Sequence, residues 1–186
     1  MGFFKKFWHF IWYDDSFLSW VANLVLAFVI VKFLVYPGIG LVMHTSFPIV
    51  AVVSGSMEHE GVAFDDWWEQ NGRWYEERNI TKEQFVAFKF HNGFNMGDIM
   101  LLKGVEPKDI KVGDVLVYET STHSNPIIHR VVGIEGDSYI IKGDNNKKED
   151  NPVGSSQVAR TGRAILRLPW LGWIKIWFVN IFKIGV

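Results

Sequence analysis

The stretch Phe47-Pro-Ile-Val-Ala-Val-Val53, followed at once by Ser54-Gly55-Ser56-Met57, decides how this sequence is read. An apolar run rich in β-branched residues that breaks into small ones reads as a strand entering a turn. A serine at that junction is exposed on a rigid support, as a nucleophile needs to be. Ser56 is thus the first candidate for chemistry. The strand before it is the natural floor of a substrate groove, with Val52, Val53 and Met57 as its expected lining.

Toward the N-terminus the chain is almost uncharged. Lys32 is the only formal charge between Asp15 and Glu58. Phe17 to Tyr36 is about the ~20 residues that one membrane span needs, and Pro37-Gly38 offers it a natural stop. Lys32, near one end, has a stem long enough to snorkel to the interface. Lys5 and Lys6 precede the span, whereas no Lys or Arg follows it before Arg73. The positive-inside rule then predicts residues 1–16 in the cytoplasm and the body of the chain outside a cell membrane crossed once. A cleaved signal peptide is the rival reading. The aromatic, acidic stretch Phe7–Phe17 makes a poor charged leader, and Tyr36-Pro-Gly-Ile-Gly a poor cleavage site, so the sequence favours a retained anchor.

Toward the C-terminus, residues 58–97 change character. Phe64-Asp-Asp-Trp-Trp-Glu-Gln and Trp74-Tyr-Glu-Glu-Arg read as helix with mixed faces, and Thr81-Lys-Glu-Gln84 has capping-box spacing for a second short helix. From Gly97 onward, short β-rich runs alternate with Gly, Asp, Pro and Asn: 98–103, 114–118, 127–132, 138–142 and 158–168. Strands at this spacing predict a compact antiparallel β-fold over 45–168. The tail 169–186 is apolar but interrupted by Lys175 and Lys183. Trp170, Trp173 and Trp177 follow helical spacing, which predicts an interfacial helix, with a second span as the alternative.

Composition narrows the function. At a net charge of -1 over 186 residues, nothing electrostatic favours nucleic acid as a partner. The chain has no cysteine, which excludes thiolate metal sites and disulfides. The 9 Trp and 15 Phe gather at the two ends and in the middle segment, a distribution that suits contact with a bilayer.

A serine hydroxyl is a weak nucleophile at neutral pH and needs a base. Among six histidines, His129 lies inside the apolar run Ile127-Ile-His-Arg-Val-Val132, where packing would hold its imidazole. His59, three residues from Ser56, is the rival, but a place on the same turn suits it poorly to reach Ser56 Oγ. The acids able to orient His129 lie in Gly143-Asp-Asn-Asn-Lys-Lys-Glu-Asp150. Asp144 and Asp150 both qualify, and spacing does not choose between them.

Ser54-Gly-Ser-Met57 beyond a span, Gly113-Asp-Val-Leu-Val-Tyr118, Ile128-His-Arg-Val-Val132 and Lys142-Gly-Asp-Asn-Asn146 together resemble the successive boxes of type I signal peptidases, in the family's order. The bacterial branch has a lysine base where this chain has His129, so the resemblance is to the archaeal and endoplasmic-reticulum branch. It implies a membrane-bound serine endopeptidase that removes signal peptides from secreted or membrane preproteins without metal or organic cofactor. Ser56 would be the nucleophile, His129 the general base and Asp150 the third catalytic acid, with Asp144 supporting or sharing that role. The Ser56 N–H and the Ser54 hydroxyl would form the oxyanion hole. Taken with the patterns above, the expected fold is mainly β: a compact antiparallel catalytic domain of signal-peptidase type with an N-terminal transmembrane helix, a helical aromatic insertion and a C-terminal interfacial helix. Partners would be signal peptides, the lipid bilayer and complex subunits of unknown identity. A processing protease for other membrane-tethered proteins, or a catalytically silent binding homologue, are the alternatives.

Two departures stand out. The family places proline shortly after Ser-Met, where this chain has His59. The insertion 58–97 is rich in Trp, Tyr and Phe, which either bury one another in a satellite core or face lipid or substrate.

Overall fold

The computed structural model describes residues 2–120, 123–158, 162–174, 176 and 177. It divides into two units, Met1–Val42 and Met43–Val186.

In the first unit, α1 (Phe3–Tyr13) precedes α2 (Phe17–Ile30), which Ser16 caps by accepting the Ser19 N–H. The apolar helix does not stop at Pro37. It runs 27 residues, Phe17–Met43, through a π turn at Val31–Val35 and on as α3 (Tyr36–Met43). Proline lacks an N–H, but it is tolerated in the first turn of a helix, and a widened turn just before it relieves the ring's clash with the preceding carbonyls. The expected stop at Pro37-Gly38 is therefore overridden.

The second unit is built on one seven-stranded sheet, in the order β1-β2-β7-β3-β4-β5-β6. The strands are β1 (Ile49–Ala51), β2 (Ile99–Lys103), β3 (Val115–Thr120), β4 (His123–Glu135), β5 (Ser138–Lys142), β6 (Val153–Gly154) and β7 (Gly162–Leu168). All neighbours pair antiparallel. The mainly β expectation holds, with shorter strands at both edges. The β-rich run 47–53 keeps only three residues in β1, and the two-residue β6 gave no sequence signal at all.

β3 explains why the sheet has two cores. Val115 and Val117 join Val52, Met57, Met100 and Leu102 on one face, whereas Leu116 and Tyr118 join Val131, Tyr139 and Ile141 on the other. Consecutive strand residues point to opposite faces, so a strand buried on both sides reads as a continuous apolar run.

The insertion folds as α4 (Phe64–Glu76) and α5 (Lys82–Val86), and the Thr81–Gln84 capping box forms in both directions. Trp67, Trp68, Tyr75, Ile80 and Phe85 pack with Val132 of β4 as a third cluster. The aromatic rings of this segment thus largely bury one another against the sheet. In the tail, Trp173 covers Gly97: a Cβ there would lie 2.1 Å from the Trp173 indole nitrogen. Trp170 and Trp177 are exposed. The expected tail helix lies mostly outside the described residues.

Phe85 is wholly buried at the centre of the insertion's cluster. Phe85→Ala should destabilise the second unit by about 3–5 kcal/mol, read as a lowered unfolding midpoint of the detergent-solubilised chain by near-UV circular dichroism.

Candidate active site

The turn that carries Ser56 is pinned from two sides. Glu58 N–H donates to Gly55 O at 3.1 Å, and the Glu58 carboxylate accepts the Met96 N–H at 2.8 Å. From the other side, Asn145 N–H donates to Ser56 O at 2.8 Å and its side-chain amide to Gly55 O at 3.2 Å. That approach requires Gly143, where a Cβ would sit 2.7 Å from Ser56 O. Met57, fully buried, accepts the Asp144 N–H on its sulfur at 3.3 Å.

His129 comes from β4, where it faces Leu116 of β3 across the ladder. Cross-strand partners share a face, and so does Tyr118, two residues beyond Leu116. Both side chains reach one acceptor on that face. His129 Nδ1 lies 2.5 Å from Asp150 Oδ2, and the Tyr118 hydroxyl donates to the same oxygen at 2.7 Å. With Nδ1–H donating to Asp150, His129 Nε2 is free to accept the Ser56 hydroxyl, 2.8 Å away. Asp150 is itself held by its N–H to Ile141 O at 2.8 Å. Partial burial works against ionisation of Asp150, but the bonds and charge of His129 and the Tyr118 bond outweigh it and lower its pKa. Burial and the facing carboxylate push the Tyr118 phenol strongly up, so it stays a donor.

Ser54 Oγ lies 3.2 Å from Ser56 Oγ. Among the described residues no acceptor takes the Ser56 N–H. A groove of about 430 Å³ opens beside the pair, lined by Val50, Ala51, Val53, Ile127 and Ile128 together with Ser56, His129 and Asp150. Of the side chains expected to line it, only Val53 does. Val52 and Met57 are buried in the core, because alternation past β1 sends Val52 inward and the Met57 sulfur is engaged by Asp144.

Asp144 is not with them. It is wholly buried and takes both Arg130 Nε, at 2.9 Å, and Arg130 Nη2, at 2.8 Å. Arg130 and His129 are successive strand residues and so point to opposite faces; only one of the two acids can meet each. His59, considered above as a rival base, lies 3.3 Å from Asp144 through Nε2 and stacks flat on Trp67 at 3.8 Å. Its buried Nδ1 has no partner, so the tautomer protonated on Nε2 is the one that leaves only a lone pair unmet. Burial opposes ionisation of Asp144, but the Arg130 charge and the bonds from His59 and Arg130 hold its pKa at about 2. Lys142, across the ladder from Arg130, bonds the Tyr75 hydroxyl and the carbonyls of Gly143 and Asp144. Burial brings its pKa down to about 8. Sequence reasoning gave no role to Tyr118, Arg130 or Lys142. All three stand in the quoted boxes, but only pairing across strands shows what they touch.

The described residues hold no cluster of side chains suited to a metal ion. A nucleophile, an imidazole and a carboxylate in line beside a groove can perform acyl transfer.

No protein-family model matches the chain. Individual relatives do. The signal peptidase complex catalytic subunit SEC11 of Scheffersomyces stipitis is 30% identical over 177 residues, covering 88% of this chain and 86% of that protein. The chain belongs to the type I signal peptidase family, in its endoplasmic-reticulum branch. The SEC11 subunit of Eremothecium gossypii is 32% identical over 123 residues, 63% of this chain and 53% of its own length. Human SEC11C is 25% identical over 154 residues, 77% of this chain and 63% of that one. In this chain, contacts of His59 and Arg130 with the buried Asp144 join the insertion to the sheet.

Asp144→Asn removes the partner of a buried guanidinium and should cost about 3–5 kcal/mol at neutral pH. The native carboxyl binds its proton more weakly than the unfolded one. Its contribution is therefore complete above the ordinary carboxylate range near ~4 and is lost as pH falls toward about 2. Thermal melts of both forms across this range should converge as pH falls.

Proposed function

We propose that this chain is a membrane-bound serine endopeptidase that cleaves N-terminal signal peptides from exported preproteins. The observation that carries the reading is the in-line contact of Ser56, His129 and Asp150 beside an apolar groove, in a chain of this family. Ser56 Oγ attacks the scissile carbonyl carbon while His129 Nε2 takes the hydroxyl proton. Asp150 keeps the other face of the imidazole oriented and stabilises its cation. The tetrahedral oxyanion is met by the Ser56 N–H and the Ser54 hydroxyl. Collapse breaks the C–N bond, and His129 delivers its proton to the leaving amine. Water, deprotonated by the same imidazole, then releases the acyl group from Ser56.

Substrate recognition follows from the sheet. β1 ends the strand order, so its outer edge can take an extended peptide as an added strand. The groove beside it is walled by Ala51, Val53 and Ile128, which suits small side chains at the first and third positions before the cut. The apolar helix Phe17–Met43 is the proposed single anchor, with its N-terminal side cytoplasmic and the catalytic unit outside. Confinement to one bilayer raises the effective concentration of enzyme and tethered substrate. The relatives are named as subunits of a complex, which supports partner subunits for this chain as well.

Ser56→Ala should abolish cleavage of a preprotein by the full chain in proteoliposomes while membrane insertion persists; unchanged cleavage would overturn the serine mechanism. Ser54→Ala should lower kcat by about 100- to 1000-fold with little change in KM, the usual loss for one oxyanion donor. His59→Ala should retain far more activity than His129→Ala in the same assay.

A further inference from the structure

The first unit carries a feature that peptide hydrolysis does not use. Lys5, His9 and Tyr13 recur at four-residue spacing along α1, and Lys6 adjoins them on the same side. Phe3, Phe4, Phe7, Trp8, Phe10, Ile11 and Trp12 take up the remaining surface, with Trp12 at the border beside Lys5. Only Ile11 is buried; Phe3, Phe4, Phe7 and Trp8 are exposed. At ~1.5 Å per residue, 11 residues extend only about 16 Å, well short of the ~30 Å hydrocarbon core. α1 is thus amphipathic and too short to cross.

Its end is fastened to the apolar helix. The last carbonyls of a helix have no partner within it and must find one where water is scarce. Ser19, wholly buried, donates its hydroxyl to Phe10 O at 2.5 Å, and Asn23 donates its amide to Ile11 O at 2.9 Å. Asp14 accepts the Ser16 N–H at 2.8 Å and closes the turn between the helices. Ser19 and Asn23 are the polar interruptions in the first two turns of an otherwise apolar helix. Both are used to cap α1.

We infer that α1 is an in-plane membrane helix that lies at the lipid–water boundary where the span begins. Its exposed Phe and Trp side chains enter the acyl region, and Lys5 and Lys6 meet anionic headgroups. Two features single out lipid as the occupant. Phe4 and Phe7 are exposed on the side of α1 away from Lys5, Lys6 and His9, and the helix to which α1 is fastened is long and apolar enough to cross a membrane, with none of its most apolar stretch buried. The inference rests on the membrane reading proposed above; the leaflet follows from the proposed topology.

The absence of cysteine makes the test clean. Single replacements Lys6→Cys, His9→Cys, Phe4→Cys and Trp8→Cys are made in the full chain, reconstituted in vesicles of phosphatidylcholine and phosphatidylglycerol. A charged, impermeant maleimide should label the Lys6 and His9 variants at least about tenfold faster than the Phe4 and Trp8 variants, as an embedded apolar face requires. Equal labelling at all four positions overturns the inference. So does protection that disappears when the vesicles are diluted to one chain each, since a second copy would then be the occupant. Two positions on each face guard against one variant that fails to insert. Sidedness separates this inference from the proposed topology. Face-selective labelling from the external side would refute the cytoplasmic N-terminus and leave the in-plane helix standing.

Discussion

The structure of the second unit depends on burying one guanidinium. Arg130 is fully enclosed, and its donors are spent on Asp144, Lys89 O, Phe90 O and Gly113 O. Stripping water from such a charge costs several kcal/mol, which is recovered only when the partner is close and the remaining donors are met. Here the five N–H groups tie together β4, the polar loop after β5, the end of the insertion and the turn before β3. Because His129 is the next residue back, whatever holds Arg130 also fixes the strand that presents the imidazole. Phe85, whose ring lies 4.8 Å from the guanidinium carbon, extends this anchoring into the aromatic cluster.

The insertion takes part in this anchoring. α4 brings Trp67 to His59 and Tyr75 to Asp144 and Lys142, so aromatic stacking and hydrogen bonds meet at one buried carboxylate. Where proline would stiffen the chain after the nucleophile by covalent geometry, His59 does so by contact. Its imidazole is clamped between a ring and an acid. Rigidity of the Ser56 turn then depends on tertiary structure more than on local backbone restriction.

Much of this was legible in the sequence, and the exceptions have physical reasons. Hydrophobic runs marked the long helix and most strands, because burial follows composition. The helix end was misread because proline signals a stop only when no widened turn accommodates it. Spacing did not tell Asp144 from Asp150, since both sit in one polar loop; the family resemblance pointed to Asp150, and the alternation of His129 and Arg130 gives each acid its partner. Val52 and Met57 read as groove lining because they flank the serine turn in sequence, but alternation past β1 sends Val52 inward and Asp144 engages the buried Met57 sulfur. α1 went unread as an element, since its aromatic and charged residues resemble an irregular leader until the caps from Ser19 and Asn23 are seen.

The spacing of the proposed reacting groups along the chain also has a consequence in time. Ser56 and His129 are 73 residues apart, and Asp150 follows another 21 later. At ~5–20 residues per second of synthesis, roughly 5–20 s separate the appearance of the serine from that of the acid. Even then, the imidazole is aimed only after β3, β4 and β5 have paired. A growing chain therefore carries Ser56 before it carries an aligned imidazole, and the proposed activity would arrive only with the finished sheet.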